Sequence, residues 1–341
     1  MHEFAELSEL MRLRRMFSGL GDVREEATIS HKGLSFPILS FHFGVKDEKA
    51  PTLVFVAGVH GLEKIGTQIL TSFLHSWTQL LKWDKSLQST LKSSRVVFYP
   101  LVNPVGMYLN TRSNGNGVDL MRNGRVEAKG KTLPLIAGHR ISPRLPWYRG
   151  KNGIEPEALA LRTFIRDLCF RGAPSIVLDI HSGFGLKDSL WFPYAGSAEY
   201  FPEAARMLAI KQIFDKSFPH HTYNIEPQHL SYTTHGDLWD DLFLEFEASR
   251  SFHHHSGHFL PLCLEMGSWT WIKKNPRQMF SSLGLFNPIL PHRVKRAERR
   301  HFLLFSFLLK LITSPEAWLE LPAGRMRILT HHANQMWYKD R

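Results

Sequence analysis

Four short apolar runs in this chain each end on a polar residue. TLVFVAG (52–58) leads to His60, RVVFYPLV (95–102) to Asn103, SIVLDI (175–180) to His181, and LPLCL (260–264) to Glu265. Short continuous runs of Val, Ile, Leu and Phe suit strands buried on both faces. Residues 61–81, 155–170, 198–214 and 291–313 carry apolar side chains at helical spacing, with Pro156 placed for a first helical turn. Such alternation predicts an α/β fold: a mixed, mainly parallel central sheet with helices on both faces. Ligands of these sheets gather beyond the carboxyl ends of the strands. The four polar residues are therefore expected at one edge.

Residues 27–43 read as two further strands around the turn HKG. No internal repeat or low-complexity tract divides the chain. One domain is expected over residues 1–341, with a core at about 50–270 and the N-terminal strands and C-terminal helix packed on it. A hydrophobic content of 43% in 341 residues supports a sizeable core and excludes wholesale disorder.

Cys169 and Cys263 lie far apart in apolar runs, which fits two buried free thiols and a reducing compartment. The first residues mix charge with apolar side chains and lack the apolar stretch of a secretory signal. The stretch HFLLFSFLLKLIT (301–313) contains Lys310 and is too short to span a bilayer. The expectation is a soluble cytoplasmic protein with no membrane partner. A net charge of +11 favours anionic partners. The densest basic run, HRVKRAERR (292–300), reads as a solvated helix face, and nucleic acid is not an expected partner.

The turn GVHGLE (58–63) places His60 and Glu63 three residues apart at a strand-to-helix junction. Imidazole nitrogen and carboxylate oxygen are both good zinc ligands, and a catalytic site needs a third protein ligand with one position left open. His181, at another strand end, is the candidate. Asp179 lies two residues earlier, on the same face of the strand, where it can support a metal ligand or Arg112.

The order HGLE, NPVGMYLNTRSNGNGVDLMRN, LDIHSG, CLEMG, between Ala57 and Gly267, resembles the zinc carboxypeptidase (funnelin) family. Among its branches the chain looks most similar to bacterial members related to succinylglutamate desuccinylase and aspartoacylase. The resemblance implies one zinc ion per chain, held by His60, Glu63 and His181, although cobalt or manganese suit the same ligands. It implies Arg112 as the group that stabilises the oxyanion and Arg122 as the grip on a substrate carboxylate. Asp119 would orient His60, and Glu265 would act as general base and then acid.

Two positions depart from the family pattern. Met121 stands where an asparagine usually precedes the carboxylate-binding arginine, and a thioether donates no hydrogen bond. Asn123 or another donor would then take its place, or the carboxylate is read differently. No tyrosine lies between Thr233 and Glu265, which leaves Tyr232 as the candidate for a mobile-loop tyrosine. The histidines at 253, 254, 255 and 258 read as an exposed loop near the strand of Glu265, with a possible role at the rim of the site.

The expected function is zinc-dependent cleavage of an amide bond next to a carboxylate. The substrate is a small peptide, for a carboxypeptidase, or an N-acyl amino acid, for a deacylase. A non-catalytic zinc-binding relative is the rival from another class.

Overall fold

The computed structural model describes residues 4–339 except 18, 152, 255 and 282. Its eight strands are β1 (Asp22–His31), β2 (Leu34–Gly44), β3 (Thr52–Ala57), β4 (Arg95–Tyr99), β5 (Ser175–Ser182), β6 (Ser189–Phe192), β7 (Asn224–Pro227) and β8 (Phe259–Met266). They form one sheet in the order β1-β2-β4-β3-β5-β8-β6-β7. The pairs β4–β3, β3–β5, β5–β8 and β6–β7 are parallel, and the rest are antiparallel.

Every residue of β3, β5 and β8 is buried, as continuous apolar runs require. The β1–β2 turn uses Lys32 and Gly33, both with positive φ, the geometry that matches the twist of a two-residue hairpin. Strand β4 stops at Tyr99, three residues short of the apolar run, because Pro100 has no N–H to extend the ladder.

Helices Lys64–Trp83 and Pro291–Ile312 pack on β3 through aromatic rings: Phe55 lies 5.0 Å from Phe305, and Phe73 lies 4.9 Å from Phe302. The 301–313 stretch is thus a helix packed on the body. Its preceding turns expose Lys295, Arg296 and Arg299, the solvated face expected of the 292–300 cluster. Phe246, from helix Leu238–His253, packs 5.5 Å from Phe259 of β8. The helix read at 198–214 runs from Ala204 to Ser217.

Helices Leu238–His253 and Ala323–Trp337 were not legible in the sequence. Asp237, Asp240 and Asp241 blur the apolar face of the first, because all three are buried. Asp237 caps the helix, and Asp240 accepts from the N–H groups of Ala195 and Gly196.

Candidate metal and catalytic centre

The turn after β3 needs two glycines. Gly58 has φ +71, and a Cβ on Gly61 would lie 2.1 Å from the backbone carbon of Gly106. This close approach presses the His60–Glu63 turn onto helix Pro104–Leu109. Asn103 ties the same elements together, capping that helix through Gly106 N–H and donating to the carbonyl of Val59. It is a brace. Asn287, which no sequence signal marked, accepts from Ile65 N–H and donates to the carbonyl of Leu62.

His181 and Glu265 are register partners on the parallel strands β5 and β8, so their side chains leave the sheet on the same face. His60, Glu63 and His181 are buried, and their donor atoms all lie within 4.8 Å of one another. The sequence-derived trio thus converges at the strand ends.

The electrostatics of the trio fit a cation. Arg112 Nη2 lies 2.8 Å from His60 Nε2, and Nη1 lies 3.3 Å from Glu63 Oε1, so a guanidinium sits against two of the three donors. His181 Nδ1 lies 3.2 Å from Glu63 Oε2, while Nε2 donates to Asp179 Oδ2 at 2.6 Å. A nitrogen facing a carboxylate oxygen at that distance needs a proton or a metal between them. Burial favours a neutral His181, but Asp179 and Glu63 outweigh it and hold the imidazole protonated well above its usual range. Burial and the Arg112 charge push His60 down to about 3. Two imidazoles and a carboxylate are a donor set suited to zinc.

Asp119 anchors Arg112, accepting from its Nε at 2.8 Å, and its other oxygen lies 3.7 Å from His60 Nδ1. Burial would raise this carboxyl, but Arg112, His60 and Arg122 hold it well below the usual carboxylate range. Glu265 accepts from Phe184 N–H at 2.9 Å. Burial, and after it the Glu63 charge, push Glu265 up to about 8.

Arg122 ends the short 3-10 helix Leu120–Arg122 and is buried. Its Nε has no hydrogen-bond partner, and its guanidinium forms no ion pair among the described residues. It lies 5.8 Å from the ring of Tyr232. Tyr232 packs 5.2 Å from Phe184 and 5.6 Å from Trp191, which brings the candidate tyrosine to the centre. Phe184 and Trp191 carried no sequence signal beyond their aromatic character.

Two of the open sequence alternatives find no support in the geometry. Asn123 does not stand in for the asparagine replaced by Met121: its amide donates to the carbonyls of Arg149 and Gly153 and accepts from Glu155 N–H, so it is spent on loop closure. The histidine run does not reach the rim either. His253 ends a helix and His258 contacts Glu203 at 3.0 Å, before the first residue of β8. Glu265 lies at the other end of that strand, about 20 Å away. His255 lies outside the described residues.

A mixed sheet with this donor set at its strand ends defines a metal-dependent hydrolase of the α/β class. Residues 22–266 match the zinc carboxypeptidase family, and the chain belongs to that family. Zinc is the metal the family implies. No curated protein matches the chain. Among solved structures, bovine thrombin-activatable fibrinolysis inhibitor aligns with TM-score 0.65 at 15% identity, over 92% of this chain and 98% of that one. A Pseudomonas aeruginosa metallo-carboxypeptidase aligns with TM-score 0.54 at 17% identity, over 90% and 69%. Helicoverpa armigera carboxypeptidase A aligns with TM-score 0.54 at 20% identity, over 75% of this chain and 62% of that one. At these identities the likeness is one of fold.

Proposed function

We propose that the protein hydrolyses an amide bond adjacent to a free carboxylate, acting as a carboxypeptidase on a small peptide. The observation that carries this reading is Arg122, a buried guanidinium whose Nε has no hydrogen-bond partner and which forms no ion pair among the described residues, set against Tyr232 and near enough to Asp119 to act on its charge. A buried charge is costly unless paired, and a substrate carboxylate supplies the pair.

Zinc held by His60, Glu63 and His181 would polarise the scissile carbonyl and make water a nucleophile at neutral pH. Arg122 binds the carboxylate and sets the register of the substrate. Glu265 takes a proton from the attacking water and delivers one to the leaving amine. Arg112 cannot share the contact with His60 and Glu63 with a second cation. With the trio holding a metal, Arg112 would be free to face the scissile carbonyl oxygen and stabilise developing negative charge. Asp119 keeps it tethered, and Tyr232 lines the carboxylate end beside Arg122.

N-acyl amino acid deacylation is the second reading. Met121 is buried and Asn123 is committed to backbone, so neither gives Arg122 an amide donor as helper. A single arginine suffices for the carboxylate of an amino acid.

A mass-spectrometric screen of zinc-loaded protein tests both, with free-acid peptides, their C-terminal amides, muropeptide fragments and N-acyl amino acids, and Glu265→Gln as control. Loss of a terminal residue from free acids but not amides is the expected result. Cleavage of acyl amino acids alone selects the deacylase. Wild type and control behaving alike on every compound, with zinc bound, would sink both in favour of a non-catalytic zinc protein.

A further inference from the structure

Residues 124–153 form neither helix nor strand among those described, yet they are tightly anchored beside the site. Gly124 N–H donates to Gly236, Gly236 N–H to Val126, His235 N–H to Ala137 and Lys129 N–H to Gly196. His139 and Tyr148 pair as a bridge that closes the excursion on itself. Its far end rests on the loop between Arg112 and Asp119: a Cβ on Gly117 would lie 2.7 Å from the carbonyl of Pro143. The excursion is therefore a braced protrusion tied to both walls that carry Arg112, Arg122 and Tyr232.

Its surface is unusual in two respects. Leu133, Leu135, Ile136, Ile141 and Leu145 are exposed, with Ile141 at 67% and Leu133 at 61%. The same thirty residues hold seven cations and one acid, six of the eleven net positive charges of the chain. Arg149 and His235 engage the one acid, Glu127, at 2.7 and 2.8 Å. Lys131, Arg144 and Lys151 are exposed with no ion pair among the described residues. Leu135 sits at φ +66, a left-handed conformation costly for a leucine, so the chain bends there at an energetic cost while leaving the side chain in solvent.

We propose that this protrusion docks the protein on an anionic lipid surface, with the exposed aliphatic side chains entering the headgroup layer and the exposed cations of the same segment on phosphate. Exposed aliphatic groups interspersed along one segment with exposed cations match an interface that is apolar beneath and negative above. Charge argues against a second copy of this chain, because two such faces repel. The five aliphatic side chains argue against a nucleic-acid backbone, which offers phosphate and sugar but no apolar layer. No helix is long and apolar enough to cross a membrane, so the contact is peripheral.

Co-sedimentation of the zinc-loaded protein with phosphatidylcholine vesicles, and with vesicles of equal parts phosphatidylcholine and phosphatidylglycerol, tests this. Binding to the anionic vesicles alone, weakened by salt, is the expected result. Lys131→Gln/Arg144→Gln/Lys151→Gln should weaken it about a hundredfold, from about fivefold per cation. Leu133→Ser/Ile141→Ser should abolish it with unchanged Tm. The proposal is overturned by equal sedimentation with both vesicle types, by variants that bind like wild type, by binding to duplex DNA but not vesicles, or by self-association lost in Leu133→Ser/Ile141→Ser. None of these readouts depends on which amide the enzyme cleaves.

Discussion

Asp179 Oδ2 accepts two hydrogen bonds at once, from His181 Nε2 at 2.6 Å and from Trp239 Nε1 at 2.8 Å. The imidazole is thereby fixed with its proton on Nε2 and its Nδ1 toward Glu63. Partners of this kind orient a metal-binding ring and raise its basicity. Asp179→Asn should lower zinc affinity about 10- to 100-fold, measured by competition against a chelator. Trp239→Phe should act in the same direction with a smaller effect. Zinc affinity equal to wild type in Asp179→Asn would reduce the pair to a packing contact.

Arg112 touches His60 and Glu63 as a cation. Its removal has opposite consequences for metal and for catalysis. Arg112→Met should bind zinc as tightly as wild type or more so, since a competing charge is gone. Its kcat should fall about 10²- to 10³-fold, the usual cost of losing an oxyanion donor. Zinc titration and turnover on one substrate separate the two. Weakened zinc binding would show that Arg112 supports the metal ligands and does not compete with a cation.

Gly61 is held against backbone, which cannot move aside as a side chain can. Gly61→Ala should cost about 1–3 kcal/mol of stability and weaken zinc binding, because the displaced turn carries two ligands. Thermal unfolding with and without zinc reads both effects. A normal Tm would mean that the turn and helix Pro104–Leu109 separate easily.

The trio was legible in the sequence because each ligand follows an apolar run, and a parallel sheet brings such strand ends together. The same logic pointed to Glu265, which lies opposite His181 in register. What was not legible came from long-range contacts of ordinary residues. Asn287 reaches the ligand turn from more than two hundred residues away, and Trp239 reaches Asp179 from a helix whose buried aspartates disguised it. Asn123 misled for the opposite reason: a polar residue beside a functional arginine looks like a partner, but loop backbone had prior claim on its amide.

Arg122 carries a buried charge whose Nε has no hydrogen-bond partner and which forms no ion pair among the described residues. Such a residue serves function at the expense of stability. Arg122→Met should therefore unfold at the same temperature as wild type or higher, while KM for a free-acid substrate rises about 10- to 100-fold, the worth of a charged hydrogen bond. A C-terminal amide should be cleaved no worse by the variant than by wild type. A large drop in Tm would show that Arg122 is paired within the fold.

Protonation sets the last expectation. In metal-free protein Glu265 titrates at about 8 against 4.5 for the free side chain, and His181 is raised well above 6.5. Both groups hold protons in the folded state that the unfolded chain has released, so the stability they contribute is lost as pH rises through these folded values. His60 is shifted down to about 3, and its opposite effect is complete by pH 6.5. Between pH 6.5 and 8 the chelator-treated protein should lose Tm as pH rises, and Glu265→Gln should flatten that slope. Zinc reverses the sign. Ligands must be deprotonated to bind a metal, so affinity and the Tm gained on zinc addition should both increase over the same interval. Thermal scans at four pH values, with zinc and with chelator, give both slopes. A metal-free Tm that rises toward pH 8 would mean that neither Glu265 nor His181 is held protonated in the fold.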